Sequence, residues 1–399
     1  MSEQLSYAVI IEEIDALEAL IPQIDDAIEE GAHFLVSSLA PNGPVLTTKS
    51  VSPCHKMAWG LYEAGRTREV VRILEWLDAN AKQAPGEYYF PEEQWYEKDM
   101  QRVYRTITFG RIAEYLHHPA FANDEVRARI KRYQHSSGGV ANCIDDGFPE
   151  ALDPLNTTFF GHWALAAGLT DEAIKAGDWI AEMIELNAPY LAQESPAIYY
   201  TRKRDSGELV TDIPPDGRMN VVVDTKTVKQ PSWVTGTCMA YLADLYTATG
   251  TNRYLDAALS LVPFETQCTH RALFWPSKCK VGWGAAQVYR LTTDPVHRKI
   301  AANVARSTFM MSQRSDGSWP HMFYPLKDTG AWRQVVYGGP NIDVPEAIEQ
   351  DESYCWLSSY EITGEFLGEL GRTSACFSEV LARLRKSRAE YEAGLELRG

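Results

Sequence analysis

Two pairs of neighbouring carboxylates stand out in this sequence: Asp145-Asp146, with Asp153 close behind, and Asp351-Glu352. Paired carboxyls in a partly apolar cavity split their pKa values, so one can hold a proton at neutral pH and act as general acid or base. Each pair also has a plain structural use. Asp146-Gly147 is a turn dipeptide, and acids at 351–352 suit the cap of the helix that follows. His55 and His162 fall in apolar helical runs, and imidazole moves protons near neutrality without any shift. His321 follows a Gly-containing turn. Cys54-His55 with Cys279 could supply soft metal ligands, but their spacing follows no zinc motif, and neither metal nor cofactor is expected. Glu97 and Asp99, followed by Arg102 and Arg105, read as surface ion pairs. Tyr104, Trp233, Trp283, Trp319, Tyr354 and Trp356 are the aromatic residues placed to bind substrate, through cation–π contact or stacking, or to fill the core.

These residues need a scaffold, and the chain has a repeated plan. Residues 4–20 read as an amphipathic entry helix. Six hairpins follow between residues 22 and 370, each a charged outer helix, a Gly-containing turn, a long loop and an apolar inner helix. The links from an inner helix to the next outer helix are short: Arg66-Thr67, Leu169-Thr170, Thr251-Asn252 and Asp294-Pro295. Short links then lie at one end and long loops at the other, and function concentrates on loops held by a rigid scaffold. The inner helices are rich in small residues, such as Gly161, Gly236, Gly282 and Gly284, so they can approach closely and be buried nearly all round. The plan predicts an all-α (α/α)6 toroid in a single domain, residues 1–399. The entry helix occupies 1–21 and a charged tail helix 373–399. Short ribbons are expected near Tyr199–Val210 and Asn220–Asp224.

The Gly-containing turns carry a resemblance. Gln313-Arg314-Ser315-Asp316-Gly317-Ser318-Trp319 is similar to the Gln-Trp repeat of squalene and terpene cyclases. Tyr133-Gln134 with Ser137-Gly138-Gly139-Val140 resembles the Gly-Gly turn of protein prenyltransferase β-subunits. Similar Asp-Gly-x-Trp turns occur in α/α-barrel glycosidases and sugar epimerases. The resemblance implies the toroid. It does not carry over any one activity, because the defining motifs are missing. Ile144-Asp145-Asp146 is a fragment of the Asp-x-Asp-Asp of class II terpene cyclases. The Asp-Asp-x-x-Asp of ionisation-initiated synthases and the zinc Asp-x-Cys of prenyltransferases are absent.

Composition narrows the partners. The 38 Lys and Arg face 54 Asp and Glu, a net charge of −16 with no basic block, which disfavours nucleic acid. Seven scattered cysteines without a CxxC read as reduced thiols in a cytoplasmic protein. No apolar run is long enough to span a bilayer. The expected function is a cofactor-independent acid–base enzyme, a cyclase, isomerase or lyase. Its substrate would be a small, largely apolar metabolite such as a terpenoid or polyketide. One alternative is a carbohydrate hydrolase or lyase with two carboxylates, and another is a non-catalytic toroid that binds a ligand or partner. The proton donor or acceptor is expected in the Asp145/Asp146 or Asp351/Glu352 pair, with His55 and His162 in reserve.

Overall fold

A computed structural model describes residues 6–41, 43, 51–84, 86–90, 102–141, 149–213, 221–228, 230–319, 323–325, 332–334 and 352–396. About seven-tenths of the chain is helical. In chain order the helices are α1 (Tyr7–Ser38), α2 (Ser52–Glu63), α3 (Thr67–Asn80), α4 (Arg102–Leu116) and α5 (Asp124–Lys131). Then come α6 (Pro154–Ala166), α7 (Thr170–Leu186), α8 (Ala188–Leu191), α9 (Trp233–Thr249), α10 (Asn252–Ser260) and α11 (Val262–Gln267). The last are α12 (Cys279–Thr292), α13 (Pro295–Val304), continued by a π-helical turn Ala305–Met310, and α14 (Glu352–Glu396).

The inner helices close a ring. α2 packs on α4, α4 on α6, α6 on α9, α9 on α12, α12 on α14, and α14 back on α2. This is the α/α toroid that the repeated plan predicts. Each outer helix rests mainly on the inner helix that precedes it: α3 on α2, α5 on α4, α7 on α6, α10 on α9 and α13 on α12. The short links therefore make the tight hairpins, and the long loops carry the chain to the next unit.

Two small-residue contacts show why the inner helices are poor in large side chains. A Cβ on Gly60 would sit 2.2 Å from the carbonyl oxygen of Gly364, so α2 and α14 meet backbone to backbone. Gly284 meets Gly236 in the same way at 2.3 Å, joining α12 to α9. Elsewhere the inner helices are buried on every side, as Pro154 and Asn156–Ala164 of α6 show.

The Gly-containing turns are structural clamps. Gln134 Nε2 donates to the Gly138 carbonyl and to the Glu172 carbonyl on the next outer helix, α7. Gln313 repeats the device, donating to the Gly317 carbonyl and to the Ala27 carbonyl on α1. The second clamp ties the last outer helix to the first and closes the outer layer. Gly317 has φ +84°, and a Cβ there would meet the Glu30 carbonyl at 2.3 Å, which accounts for the glycine.

The boundaries expected at 21 and 373 fall inside continuous helices. In α1 the buried stripe Ile10, Ile14, Leu17, Leu20, Ile24, Ala27, Leu35 runs unbroken past Pro22, and this packing outweighs the one backbone hydrogen bond that proline removes. In α14 the buried positions Phe366, Leu370, Phe377, Val380 and Leu384 continue past Gly371. The two helices run antiparallel, with Tyr7 stacked on Tyr391 and Arg385 paired with Glu18. Expected ribbons are present: Ala197–Tyr199 pairs with Val222–Asp224, and Arg202–Lys203 with Ala151–Leu152. No helix among the described residues is long and apolar enough to cross a membrane.

Candidate functional site

Inside the ring, at the end where the inner helices begin, lies a network of five charges, four of them buried. α14 contributes Glu361, Glu365 and Glu369, spaced one turn apart on the face that looks into the ring. α2 contributes Lys56 and α12 contributes Lys280. Lys56 Nζ lies 2.6 Å from Glu365 Oε2 and 3.0 Å from Glu361 Oε1. Lys280 Nζ pairs with Glu365 Oε1 and lies 3.1 Å from Glu369 Oε1. Glycine contacts make this possible, because Gly364 sits against the Lys56 backbone and Gly236 against that of Lys280.

Charge balance explains the electrostatics. Three carboxyls face two ammonium groups, so one negative charge is in excess. Burial opposes ionisation of Glu365, but Lys280 and Lys56 outweigh it and hold its carboxyl at about 2. Burial pushes Glu369 up to about 7; Lys280 pulls it back only in part, and the Glu365 carboxylate adds to the rise. Glu369 is fully buried. Its contact with Lys280 is an ion pair at 3.1 Å. The lysines are raised despite burial, because the carboxylates more than offset it.

Tyr104 of α4 borders the network, with the Lys56 ammonium 5.9 Å from its ring centroid. Its hydroxyl is buried without a hydrogen-bond partner among the described residues, and burial raises its pKa. His55 meets the Tyr104 ring edge-on at 5.3 Å. Cys279 Sγ and the carboxylate oxygens of Glu365 and Glu369 lie within 4.8 Å of one another, a spacing that could hold a cation. The Lys280 ammonium already stands between those carboxylates, so the cation of this site is the lysine itself.

Beneath the network an aromatic layer crosses the ring. Trp59 meets Phe159 at 5.9 Å and Trp283 at 5.8 Å, and Tyr104 meets Phe159 at 4.5 Å. His162 stacks on Trp283 at 5.1 Å, on the side of the layer nearer the ends of the inner helices. Burial, then Arg111 and Arg372, hold His162 well below the ordinary histidine range, so it stays neutral. A cavity of about 410 Å³ opens beside it at the short-link end.

The structure thus sorts the predicted residues. Tyr104 and His55 lie at the charge network. His162 lies beyond the aromatic layer, and Trp283 belongs to that layer. Trp319 is a wall residue: its Nε1 donates to the Phe309 carbonyl, and its ring packs beside Gly31 and Phe366. Trp233 is half-buried against Tyr200. Asp153 caps α6 by accepting from the Leu155 N–H. Arg105 is not the surface residue expected but is buried. Asp145, Asp146, His321, Asp351, Glu97 and Asp99 lie outside the described residues, as do the side chains of Glu352, Tyr354 and Trp356 in the first turns of α14.

Sequence reasoning missed Glu361, Glu365 and Glu369. A signal for them existed: three acids at i, i+4 and i+8 in the stretch 361–371, which is otherwise built of Ile, Thr, Gly, Phe and Leu. Acids at one-turn spacing on a face destined for burial need buried cations, and Lys56 and Lys280 are the lysines of α2 and α12.

No known protein family matches the sequence, and neither does any curated protein. Solved structures do match in fold. A D-mannose isomerase superposes with a TM-score of 0.56 at 12% identity, covering 86% of this chain and 96% of its own. An unsaturated glucuronyl hydrolase specific for heparin gives 0.54 at 9%, covering 89% and 97%. A type II terpene cyclase from Scytonema gives 0.51 at 11%, covering 90% and 99%. At such identities the likeness is one of fold: this chain is built as an α/α toroid, and no specific family is identified.

Proposed function

We propose that this protein is an acid–base enzyme acting on a small, hydroxyl-rich metabolite of the carbohydrate class, as an isomerase, epimerase or hydrolase. The observation that carries this reading is the Glu365–Lys280–Glu369 arrangement within the ring, where one carboxyl stays ionised and its neighbour is raised toward neutrality. Two titratable groups whose surroundings push them apart are the pattern of an acid–base pair. Glu369 is the proton donor or acceptor. Lys280 fixes its position, and Lys56, Glu361 and Tyr104 supply hydrogen bonds to substrate hydroxyls.

The polarity of the network favours a polar substrate. Burying ions costs several kcal/mol each even after relaxation, and apolar side chains would fill the same space at no such cost. An apolar metabolite undergoing carbocation chemistry would call for aromatic walls, whereas here the aromatic residues pack edge-on against one another in a layer beneath the charges. The named activities of the sugar isomerase and the uronide hydrolase support the reading by analogy of fold. The pairs Asp145/Asp146 and Asp351/Glu352 are the competing proton donors, which the hairpin plan assigns to the long-loop end.

The test begins with D-mannose and D-fructose in deuterated water, following loss of the proton on the carbon beside the carbonyl by NMR. A panel of nitrophenyl glycosides reports hydrolysis. Glu369→Gln is expected to lower the rate by roughly 10²–10⁴-fold, with folding checked by circular dichroism. His162→Ala should leave turnover within a small factor of wild type. Full activity in Glu369→Gln, together with its loss in Asp145→Asn, Asp146→Asn, Asp351→Asn, Glu352→Gln or His55→Ala, would move the acid elsewhere. Absence of exchange and hydrolysis across the panel would remove the carbohydrate reading.

A further inference from the structure

The cavity at the short-link end is a mouth of the ring, and the aromatic layer separates it from the charge network. Five inner helices supply polar side chains to its lining: Tyr115 of α4, His162 of α6, Asp244 of α9, Gln287 of α12 and Arg372 of α14. The charges of the lining balance. It carries the carboxylates Asp244 and Glu379 and the guanidiniums Arg290 and Arg372. Arg111 and Glu63, which act on Asp244 from nearby, add one charge of each sign. His162 is held neutral by burial and by the arginines. With no excess of either sign, the lining does not concentrate small ions, and its chemistry suits an uncharged ligand.

The two arginines are taken up within the wall. Arg372 Nε donates to Glu63 at 2.7 Å. Arg290 donates from Nε to Gln287 Oε1 at 3.0 Å and from Nη2 to Thr247 Oγ1 at 3.1 Å. Two other groups of the lining keep open capacity. Asp244 is met by Arg290 Nη2 and by His162 Nδ1 at the long distance of 3.4 Å in each case. Gln287 is 3% exposed, and its Nε2 donates no hydrogen bond among the described residues. A buried donor without a partner is destabilising, so one left open at a cavity wall marks a place for an acceptor. Arg290 contacts both Asp244 and Gln287, so the open acceptor on α9 and the open donor on α12 are neighbours. A hydroxyl donates and accepts at once, and one hydroxyl between them satisfies both. Leu165, Ala166 and Ala248 add apolar wall, and the volume of about 410 Å³ is that of a small-molecule site.

We propose that this mouth of the ring is a second ligand site, taking a neutral polyol of monosaccharide size, with one hydroxyl held between the Asp244 carboxylate and the Gln287 amide. The site is independent of the acid–base chemistry proposed for the opposite end, and it is tested by binding rather than by turnover.

The experiment is isothermal titration calorimetry of the full chain with D-mannose and, separately, with myo-inositol, which has no carbonyl or glycosidic carbon to react at the other end. Binding of at least one polyol is expected. Kd should weaken roughly threefold to tenfold in Gln287→Leu, the loss of a neutral hydrogen bond, and roughly tenfold to a hundredfold in Asp244→Asn, the loss of one to a charged group. Ala375→Trp, at an exposed position on the cavity rim, should abolish this binding with the core untouched, and carries the test should either other variant fail to fold. D-mannose held at the long-loop end as well would show as a separate binding step that Ala375→Trp leaves in place. Ethylammonium chloride and sodium acetate, at matched ionic strength, should bind more weakly than the polyols. Failure of both polyols to bind, binding unchanged in all three variants, or tighter binding of either ion than of both polyols overturns the proposal.

Discussion

Glu369 draws its character from its neighbours rather than from its own position on the helix. A glutamate in water titrates near 4.3; burial beside Glu365 pushes this one up to about 7, and Lys280 is already largely spent on Glu365. The sign for stability follows. The folded state holds a proton on Glu369 that the unfolded chain releases above about 4.5. Stability from this group is therefore full below that pH, declines as pH rises to about 7, and is level beyond. Glu365 behaves oppositely: its depressed carboxyl stabilises the fold above about 4.5 and loses that contribution as pH falls toward 2. Urea titrations of wild type and Glu369→Gln between pH 5 and 8 should show the variant lacking a decline worth a few kcal/mol. In turnover, wild type should show an inflection near pH 7 that Glu369→Gln abolishes. A variant curve parallel to wild type in both measurements would show that Glu369 does not titrate in this range.

At the scale of the element, the decisive feature is how closely inner helices approach. The network exists because α14 can lie against α2 with backbone in contact at Gly60 and Gly364. A methyl group at residue 364 would sit 2.4 Å from the Lys56 carbonyl carbon, on rigid helix backbone, and neither helix can yield without opening the ring. Helix propensity alone would favour alanine over glycine by about 1 kcal/mol. Gly364→Ala is nevertheless expected to destabilise by about 1–3 kcal/mol, the usual cost of overpacking, and to weaken the Lys56–Glu365 contact. Chemical denaturation measures the first. A neutral or stabilising result would mean that α2 and α14 are not in backbone contact.

Across the whole molecule, closure depends on contacts between the two ends of the chain. Glu13 on α1 is buried and accepts from Arg298 Nε at 2.7 Å, Arg298 Nη2 at 2.8 Å and the Tyr289 hydroxyl at 2.7 Å. It thereby joins the first helix to α12 and α13. Glu13→Ala leaves a buried guanidinium unpaired and should cost about 3–5 kcal/mol. Gln313→Ala, which removes two hydrogen bonds of the closing clamp, should cost about 1–3 kcal/mol. If unfolding free energies of both variants equal that of wild type, the ends of the chain do not hold the ring shut. The long α1–α14 pair also shows why separate entry and tail helices were the wrong expectation: each is the continuation of a ring helix whose apolar stripe never breaks.

The sequence by itself determined the toroid. Alternating charged and small-residue helices, short links and long loops are local signals, and each is legible because helical periodicity and turn chemistry act over a few residues. The close approach of the inner helices was legible for the same reason, from their glycines. Tertiary structure alone decided which residues meet. His55 lies in the first turn of α2 and His162 two turns into α6, but only the packing of the helices shows that an aromatic layer separates them. Lys56, Lys280 and Glu365 are far apart in the chain, and a lysine in an apolar helix carries no local mark of the carboxylate that will face it. Charge pairing across a ring is a long-range property. Only closure brings α2, α12 and α14 together and turns three helical faces into one site.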